Sequence, residues 1–241
     1  MPQHPVVSVV LVNYRGADDT LTAIQALAAL PEYPEQLEIV VVDNASGDDS
    51  LTRLEASPYD IVLVESPTNT GFAGGCNLGV SRAGGDIVAF LNSDARPDSL
   101  WVTAALEALE RNSSVGAIAS QVLDWEGATI DYQGAGLTWY GMGYRPHTGD
   151  KVRAKKTQIA HPVLFGTGAA MFVRRSVFDE LGGFDESFFM FFEDVDLGWR
   201  LNLLGYTYLY EPRSIAYHRY HGSMGEVAPY REQFLLERNA L

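Results

Sequence analysis

Short apolar runs alternate with helical patterns through the first half of the chain. Val6 to Val12 is a valine-rich run, and Asp18 to Leu30 repeats its apolar residues at helical spacing. Glu38 to Val42 forms a second run that closes on Asp43, and Ser50 to Ala56 starts a helix. Ile61 to Glu65 gives a third strand, Gly75 to Ala83 a helix, and Ile87 to Leu91 a fourth strand ending at Asn92. Ser99 to Arg111 then places Leu100, Ala104, Ala105 and Leu109 at helical spacing. Strands alternating with helices predict a parallel sheet covered on both faces. Ligands of such sheets sit outside the carboxyl ends of the strands. Polar residues follow directly on three of these runs: Asn13, Asp43, and Asn92 with Asp94. Packing alone does not account for that repeated placement.

The second half reads differently. Ala117 to Val122 is strand-like, Gly127 to Lys156 reads as loop and short hairpin, and Phe165 to Val173 is strand-like with a glycine-rich start. Ser176 to Leu181 is a short helix, Glu193 to Leu204 a strong one, and Tyr206 to Tyr210 a final strand. Tyr230 to Leu241 is still helical in pattern, and nothing in it acts as a cap or breaker. No internal repeat is visible. The expected division is a nucleotide lobe over residues 1–120 and an acceptor-side lobe over 121–241, within one continuous domain.

Composition narrows the partners. The 241 residues are 46% hydrophobic and 20% charged, which fits a globular protein with a sizeable core. A net charge of −14 argues against nucleic acid, whose phosphates need clustered Lys and Arg. An acidic chain that binds a nucleoside diphosphate needs local help from a divalent metal or a helix N-terminus. Cys76 is the one cysteine, so an intrachain disulfide and a cysteine-rich zinc site are both excluded. A free thiol suits a reducing cytoplasm. Neither a signal peptide nor an apolar run of about 20 residues is visible. The expectation is therefore a soluble cytoplasmic domain, with any continuation past Leu241 left open. Lys151, Arg153, Lys155 and Lys156 form the one local basic cluster. A solvated loop is its ordinary reading; contact with a lipid pyrophosphate at the inner membrane face is the functional one.

Four segments could carry chemistry. In Leu91-Asn92-Ser93-Asp94-Ala95, a carboxylate at a strand end can hold a divalent cation that also grips phosphate; a turn with Asp94 capping a helix is the alternative. In Asn69 to Asn77, Gly71, Gly74 and Gly75 free the backbone to approach a ligand at a helix start, yet fit neither the Walker nor the dinucleotide spacing. In Phe188-Phe189-Met190-Phe191-Phe192-Glu193-Asp194-Val195-Asp196, five apolar residues lead into three carboxylates. Helical spacing puts Glu193 with Asp196 or Leu197 and turns Asp194 elsewhere. First-turn acids favour the helix dipole, but the aromatic run makes better sense as the lining of a pocket, where a carboxylate can act as a general base. In Tyr217 to Ser223, His218 and His221 lie three apart, and either could complete a metal site with Asp94.

Taken in order, these segments resemble family 2 of the inverting glycosyltransferases, and most closely its bacterial rhamnosyltransferase-like branch. The resemblance rests on Val9 to Tyr14, Val41 to Ser46, Asn69 to Asn77, Asn92-Ser93-Asp94, Gly168 to Met171, Gly183 to Glu186, Glu193 to Asp196 and His218 to His221. It implies an α/β GT-A fold: a Rossmann-like, mostly parallel central sheet with helices on both faces and a mixed acceptor-side lobe. It also implies that Asn13, Tyr14 and Asp43 surround the base and ribose of a dTDP or UDP sugar. Asn69, Gly71, Phe72 and Asn77 would pack on the nucleotide. Asp94 matches the last carboxylate of the family's metal motif and would bind Mg²⁺ or Mn²⁺, while Asn92 replaces the first. His218 matches a metal-binding histidine of some relatives. Asp194 matches the catalytic base, with Glu193 beside it. The implied reaction is a single in-line displacement onto an acceptor hydroxyl of a glycan or lipid-linked sugar. The alternatives are weaker. A sugar nucleotidyltransferase would carry a basic glycine-rich loop where Asn13-Tyr14-Arg15-Gly16 stands, and a decayed carbohydrate-binding or scaffolding domain would have lost Asp94 or Asp194.

Overall fold

The computed structural model describes residues 6–33, 35–139, 143–152, 159–219 and 229–239. The valine-rich opening is β1 (Val7–Asn13), followed by α1 (Ala17–Ala28), β2 (Leu37–Asp43), α2 (Ser50–Glu55) and β3 (Val62–Glu65). Then come α3 (Gly71–Val80), β4 (Ile87–Leu91), β5 (Ala95–Pro97), α4 (Trp101–Arg111) and β6 (Val115–Asp124). Four short strands come next: β7 (Ile130–Tyr132), β8 (Gly136–Leu137), β9 (Gly143–Tyr144) and β10 (His161–Val163). The rest is β11 (Ala170–Arg174), α5 (Arg175–Leu181), a 3₁₀ turn at Glu186–Phe188, α6 (Glu193–Leu203), β12 (Thr207–His218) and α7 (Pro229–Asn239).

One sheet organises these elements, in the order β10-β12-β6-β11-β4-β1-β2-β3, with β5 added to β12 and β7 to β6. β4, β1, β2 and β3 run parallel, as the alternation predicts. β11 enters antiparallel between β4 and β6, and β6 pairs β12 in parallel. The sheet therefore runs unbroken through both halves of the chain, and residue 120 falls inside β6. Because helices cover it, β1, β2 and β4 bury both faces and read as continuous apolar runs rather than alternating ones. The chain moves to opposite sides of β1 to form β2 and β4. The loops leaving β1 and β4 diverge there and open a crevice.

Several boundaries differ from the sequence pattern, each for a physical reason. α3 begins at Gly71 rather than Gly75, because its glycines are the close-packed face of the helix. A Cβ on Gly79 would lie 2.4 Å from Val10 Cγ1, so the helix lies directly on β1. Asp94 does not cap a helix: β5 comes directly after it, and α4 starts only at Trp101. β12 runs on to His218 instead of ending at Tyr210, through a register shift between Glu211 and Ile215 that the period-2 pattern hides.

One set of polar groups inside the core forms a closed chain of hydrogen bonds. Trp101 Nε1 donates to Ser120 Oγ at 2.9 Å, Ser120 and Ser214 share a hydrogen bond, and Ser214 Oγ donates to the Trp101 carbonyl. Trp101, Ser120 and Ser214 are fully buried. This triad ties α4 to the sheet where β12 shifts register. Ser120→Ala should leave the indole N–H without an acceptor and cost about 1–3 kcal/mol. Thermal unfolding should show a midpoint lowered by roughly 2–4 °C per kcal/mol; an unchanged midpoint would show that the triad contributes nothing.

Candidate active site

The crevice is a cavity of about 420 Å³ beyond the carboxyl ends of β1 and β4. Its floor is set by a buried polar network. Asn13 Nδ2 donates to Asp43 Oδ1 at 2.8 Å, and Ser46 N–H donates to Asp43 Oδ2 at 3.1 Å. Thr20 Oγ1 donates to Asn13 Oδ1 at 2.8 Å. Asn13 and Asp43 are almost wholly buried and are not among the residues lining the cavity; they fix the loop that presents Tyr14 to it. Asn44 carries the order onward. Its amide donates to the Gly71 carbonyl at 2.9 Å and accepts from Thr70 N–H at 3.1 Å. Asn69, Gly71 and Phe72 line the cavity. Asn77 does not. Its side chain bridges to the Phe184 carbonyl and Glu186 carboxylate and accepts from Phe184 N–H, so it ties α3 to the next loop.

A line of alternating charges forms one wall. His218 Nε2 lies 3.1 Å from Asp94 Oδ1, and Nδ1 lies 2.9 Å from Asp131 Oδ2. Arg145 donates to Asp131 Oδ1 at 3.2 Å. Burial alone would lower the His218 pKa, but hydrogen bonds to Asp131 and Asp94 outweigh it and push it up to about 9. The Asn92 amide nitrogen sits 3.2 Å from the same Nε2. The long β12 is what brings His218 to Asp94, since its last residue pairs with Ala95 of β5. His221 lies outside the described residues, as do Arg153, Lys155 and Lys156 of the basic cluster.

The opposite wall holds the carboxylate pair. Glu193 and Asp194 both face the cavity, so the helical-face expectation for Asp194 does not hold; Asp196 instead pairs with Arg200 at 2.6 Å. Burial pushes both carboxyls up, Glu193 well up, with the charge of Asp194 adding to the effect on Glu193. Asp194 has more support as an anion. It accepts Gly168 N–H at 3.1 Å and Val195 N–H at 2.8 Å, and the Arg145 charge favours its ionised form. Among the described residues, Glu193 Oε2 is buried without a hydrogen-bond partner. Of the two, Glu193 therefore keeps its proton more readily and Asp194 ionises more readily.

The aromatic segment leading to this pair is strained. Phe189, Phe191 and Phe192 adopt φ of 65°, 69° and 69°. Left-handed backbone at a bulky residue costs on the order of 1–3 kcal/mol and persists only where the surroundings enforce it. One such constraint is visible: Ala73 N–H donates to the Phe189 carbonyl at 3.2 Å. Behind the segment, Phe184 of the Gly-Gly-Phe motif is buried against Phe90 and Phe178, with ring centroids 5.0 and 5.5 Å away.

Among the described residues, no group of three or more His, Cys, Asp or Glu side chains is arranged to hold a metal ion. Asp94 and His218 nonetheless supply one carboxylate and one imidazole at the cavity wall. Mg²⁺ and Mn²⁺ draw several ligands from water and substrate phosphates, so two protein donors fit that chemistry, and the nitrogen suits Mn²⁺ better. Sequence reasoning missed Asn44, Asp131 and Arg145. Asn44 comes directly after a strand end, like Asn13 and Asn92, and could have been found by that rule. Asp131 and Arg145 lie in a stretch without periodicity and carry no such signal.

With this geometry in place, comparison with known proteins settles the class. The model of glycosyl transferase family 2 matches residues 8–182, and the chain belongs to that family. Among its relatives is the N-acetylglucosaminyl-diphospho-decaprenol L-rhamnosyltransferase of Mycobacterium tuberculosis, 28% identical over 240 residues, covering 90% of this chain and 78% of the relative. The low-salt glycan biosynthesis hexosyltransferase of Haloferax volcanii is 26% identical over 199 residues, covering 80% of this chain. This chain spans only 60% of that relative's length. An O-antigen biosynthesis protein of Myxococcus xanthus is 30% identical over 211 residues, covering 83% of this chain and 16% of its own length. Among solved structures, GalNAc-T7 with UDP, GalNAc and Mn²⁺ superposes with a TM-score of 0.72 at 16% identity, over 90% of this chain and 44% of that one. A Pyrobaculum calidifontis mannosyltransferase with GDP-Man and Mn²⁺ gives 0.67 at 18% identity, over 99% and 70%. The fold is GT-A, as the sequence resemblance implies.

Gly71 joins the loop before α3 to the aromatic segment. Its φ is +71°, and a Cβ there would lie 2.1 Å from the Phe189 carbonyl oxygen. Gly71→Ala should therefore cost about 2 kcal/mol or more, from strain and overpacking together. Denaturant unfolding checks this; a midpoint equal to wild type would mean that the contact between the two loops is loose.

Proposed function

We propose that the chain is a metal-dependent, inverting glycosyltransferase of glycan synthesis, taking a sugar from a dTDP or UDP carrier to an acceptor hydroxyl. The observation that carries this reading is Asp194: a buried carboxylate that accepts hydrogen bonds from two backbone N–H groups, in the wall of a cavity that also holds Asp94 and His218. The nucleotide lobe is residues 1–120, where Tyr14, Asn69, Gly71 and Phe72 meet the donor and Asn13 and Asp43 brace them from below. Residues 121–241 supply the acceptor side. The acceptor class is a glycan or lipid-linked sugar, in line with the diphospho-decaprenol in the mycobacterial relative's name. Work at the inner face of a membrane from the cytoplasm suits such an acceptor. Among the described residues no helix is long and apolar enough to cross a membrane.

The chemistry derives from what each residue can do. Asp194 accepts the proton of the acceptor hydroxyl as that oxygen bonds to the anomeric carbon. The bond from that carbon to the diphosphate oxygen breaks, its electron pair leaves with the diphosphate, and one displacement inverts the centre. Glu193 keeps its own proton and spares the pair a second charge. Arg145, beside Asp131, favours the anionic form of Asp194. Asp94 and His218 would hold Mg²⁺ or Mn²⁺, which when bound offers a Lewis acid to the diphosphate oxygens. The apolar run before Glu193 keeps water from the anomeric carbon.

Asp194→Asn is expected to lower kcat about 10²–10⁴-fold while leaving UDP or dTDP affinity within about twofold. The assay is nucleoside diphosphate release from dTDP-rhamnose or UDP-hexoses with a polyprenyl-diphosphate sugar as acceptor. Because burial raises the Asp194 pKa, kcat/KM should fall as pH drops through a value above the ordinary aspartate range of about 4. A full rate for the variant, or an acid limb at the ordinary value, would remove Asp194 from the base role.

A further inference from the structure

The conformation of the aromatic segment needs an explanation on its outer side as well. Met190 N–H donates to the Phe188 carbonyl at 2.7 Å, and Phe189 sits between them at φ 65°, ψ −58°. That is a γ-turn of the rare, strained hand. Phe192, in left-handed backbone, then opens α6 directly at Glu193-Asp194. Consecutive carbonyls of such a turn cannot enter a helix or sheet ladder, so each needs a donor from elsewhere.

The donors come from two side chains at the end of α7. Arg238 Nη2 donates to the carbonyls of Ser187 at 2.9 Å and Phe188 at 2.7 Å. Asn239 Nδ2 lies 3.0, 2.8 and 2.8 Å from the carbonyl oxygens of Phe188, Met190 and Phe191. The same helix buries Leu235 at the cavity. On the inner side, Ala73 N–H takes the Phe189 carbonyl. The segment is thus clasped between α3, at the donor loop, and α7. We propose that Arg238 and Asn239 are positioning residues that hold residues 187–192 in their strained form and thereby set Asp194 against Gly168 N–H. The catalytic half of this inference rests on the base role of Asp194 given above; the mechanical half does not.

Asn239→Asp separates clasping from simple docking of α7. The substitution keeps size and shape, removes the N–H donors and turns a carboxylate toward three carbonyl oxygens, while Leu235 is untouched. Amide hydrogen exchange should accelerate locally over residues 186–194 with exchange elsewhere unchanged. Release of nucleotide from dTDP-rhamnose or UDP-glucose should lose at least about tenfold in kcat, with UDP and dTDP affinity unchanged. Arg238→Ala should do the same more mildly, and Arg238→Lys should restore part of the loss. Exchange at wild-type rates in 186–194 overturns the clasp. Acceleration spread over the whole chain overturns it too, because α7 would then be a general support. Local acceleration with full kcat overturns the positioning role alone. If wild type itself releases no nucleotide, the base assignment fails while the exchange result still decides the clasp.

Discussion

Asp194 is a carboxyl buried in the cavity wall, and several groups around it favour its charged form against the effect of burial. A buried carboxylate without partners would take up a proton instead of ionising. Two backbone N–H groups, the first turn of α6 and the field of Arg145 act against that outcome. The neighbouring Glu193 lacks comparable help at Oε2 and keeps its proton in preference. In the proposed reaction these adjacent carboxyls would divide the work by environment, Asp194 as the base and Glu193 as its protonated neighbour.

The facing wall solves a related difficulty in a protein of net charge −14. Asp94, His218, Asp131 and Arg145 alternate in sign along a line of hydrogen bonds, so acidic groups can be buried there without accumulating charge. The same line fixes the ring of His218 by its Nδ1 contact and turns Nε2 toward Asp94. Histidines held by a second carboxylate in this way make well-oriented metal donors once the metal displaces the Nε2 proton. The donor loop meets the base-bearing segment where Gly71 touches the Phe189 backbone and Ala73 N–H donates to its carbonyl.

The chain's strands were legible because β1, β2 and β4 bury both faces and read as unbroken apolar runs. The polar residues at their ends pointed to the crevice for the same reason. Asp94, Glu193 and Asp194 could be picked out by chemistry and context. What failed to show was whatever depends on three-dimensional closure. The extension of β12 to His218 passes through a register shift that breaks the alternation. Asp131 and Arg145 sit in aperiodic chain. Asn77 falls within a binding-loop pattern but turns its side chain to Phe184, which only packing decides. Ideal helical spacing separates Asp194 from Glu193, yet both line the cavity, because α6 starts from left-handed backbone at Phe192 and spacing says nothing of how that start is oriented.

We propose that the site divides its labour: Asp94 and His218 would hold the nucleotide through a divalent ion, and Asp194 would take the acceptor's proton. The most direct measurement is calorimetric titration of UDP and dTDP, with and without Mn²⁺, into wild type and Asp94→Ala. The account predicts binding of one nucleotide that requires both Mn²⁺ and Asp94 and fails without either. Binding of equal strength without Mn²⁺, or in Asp94→Ala, would contradict it.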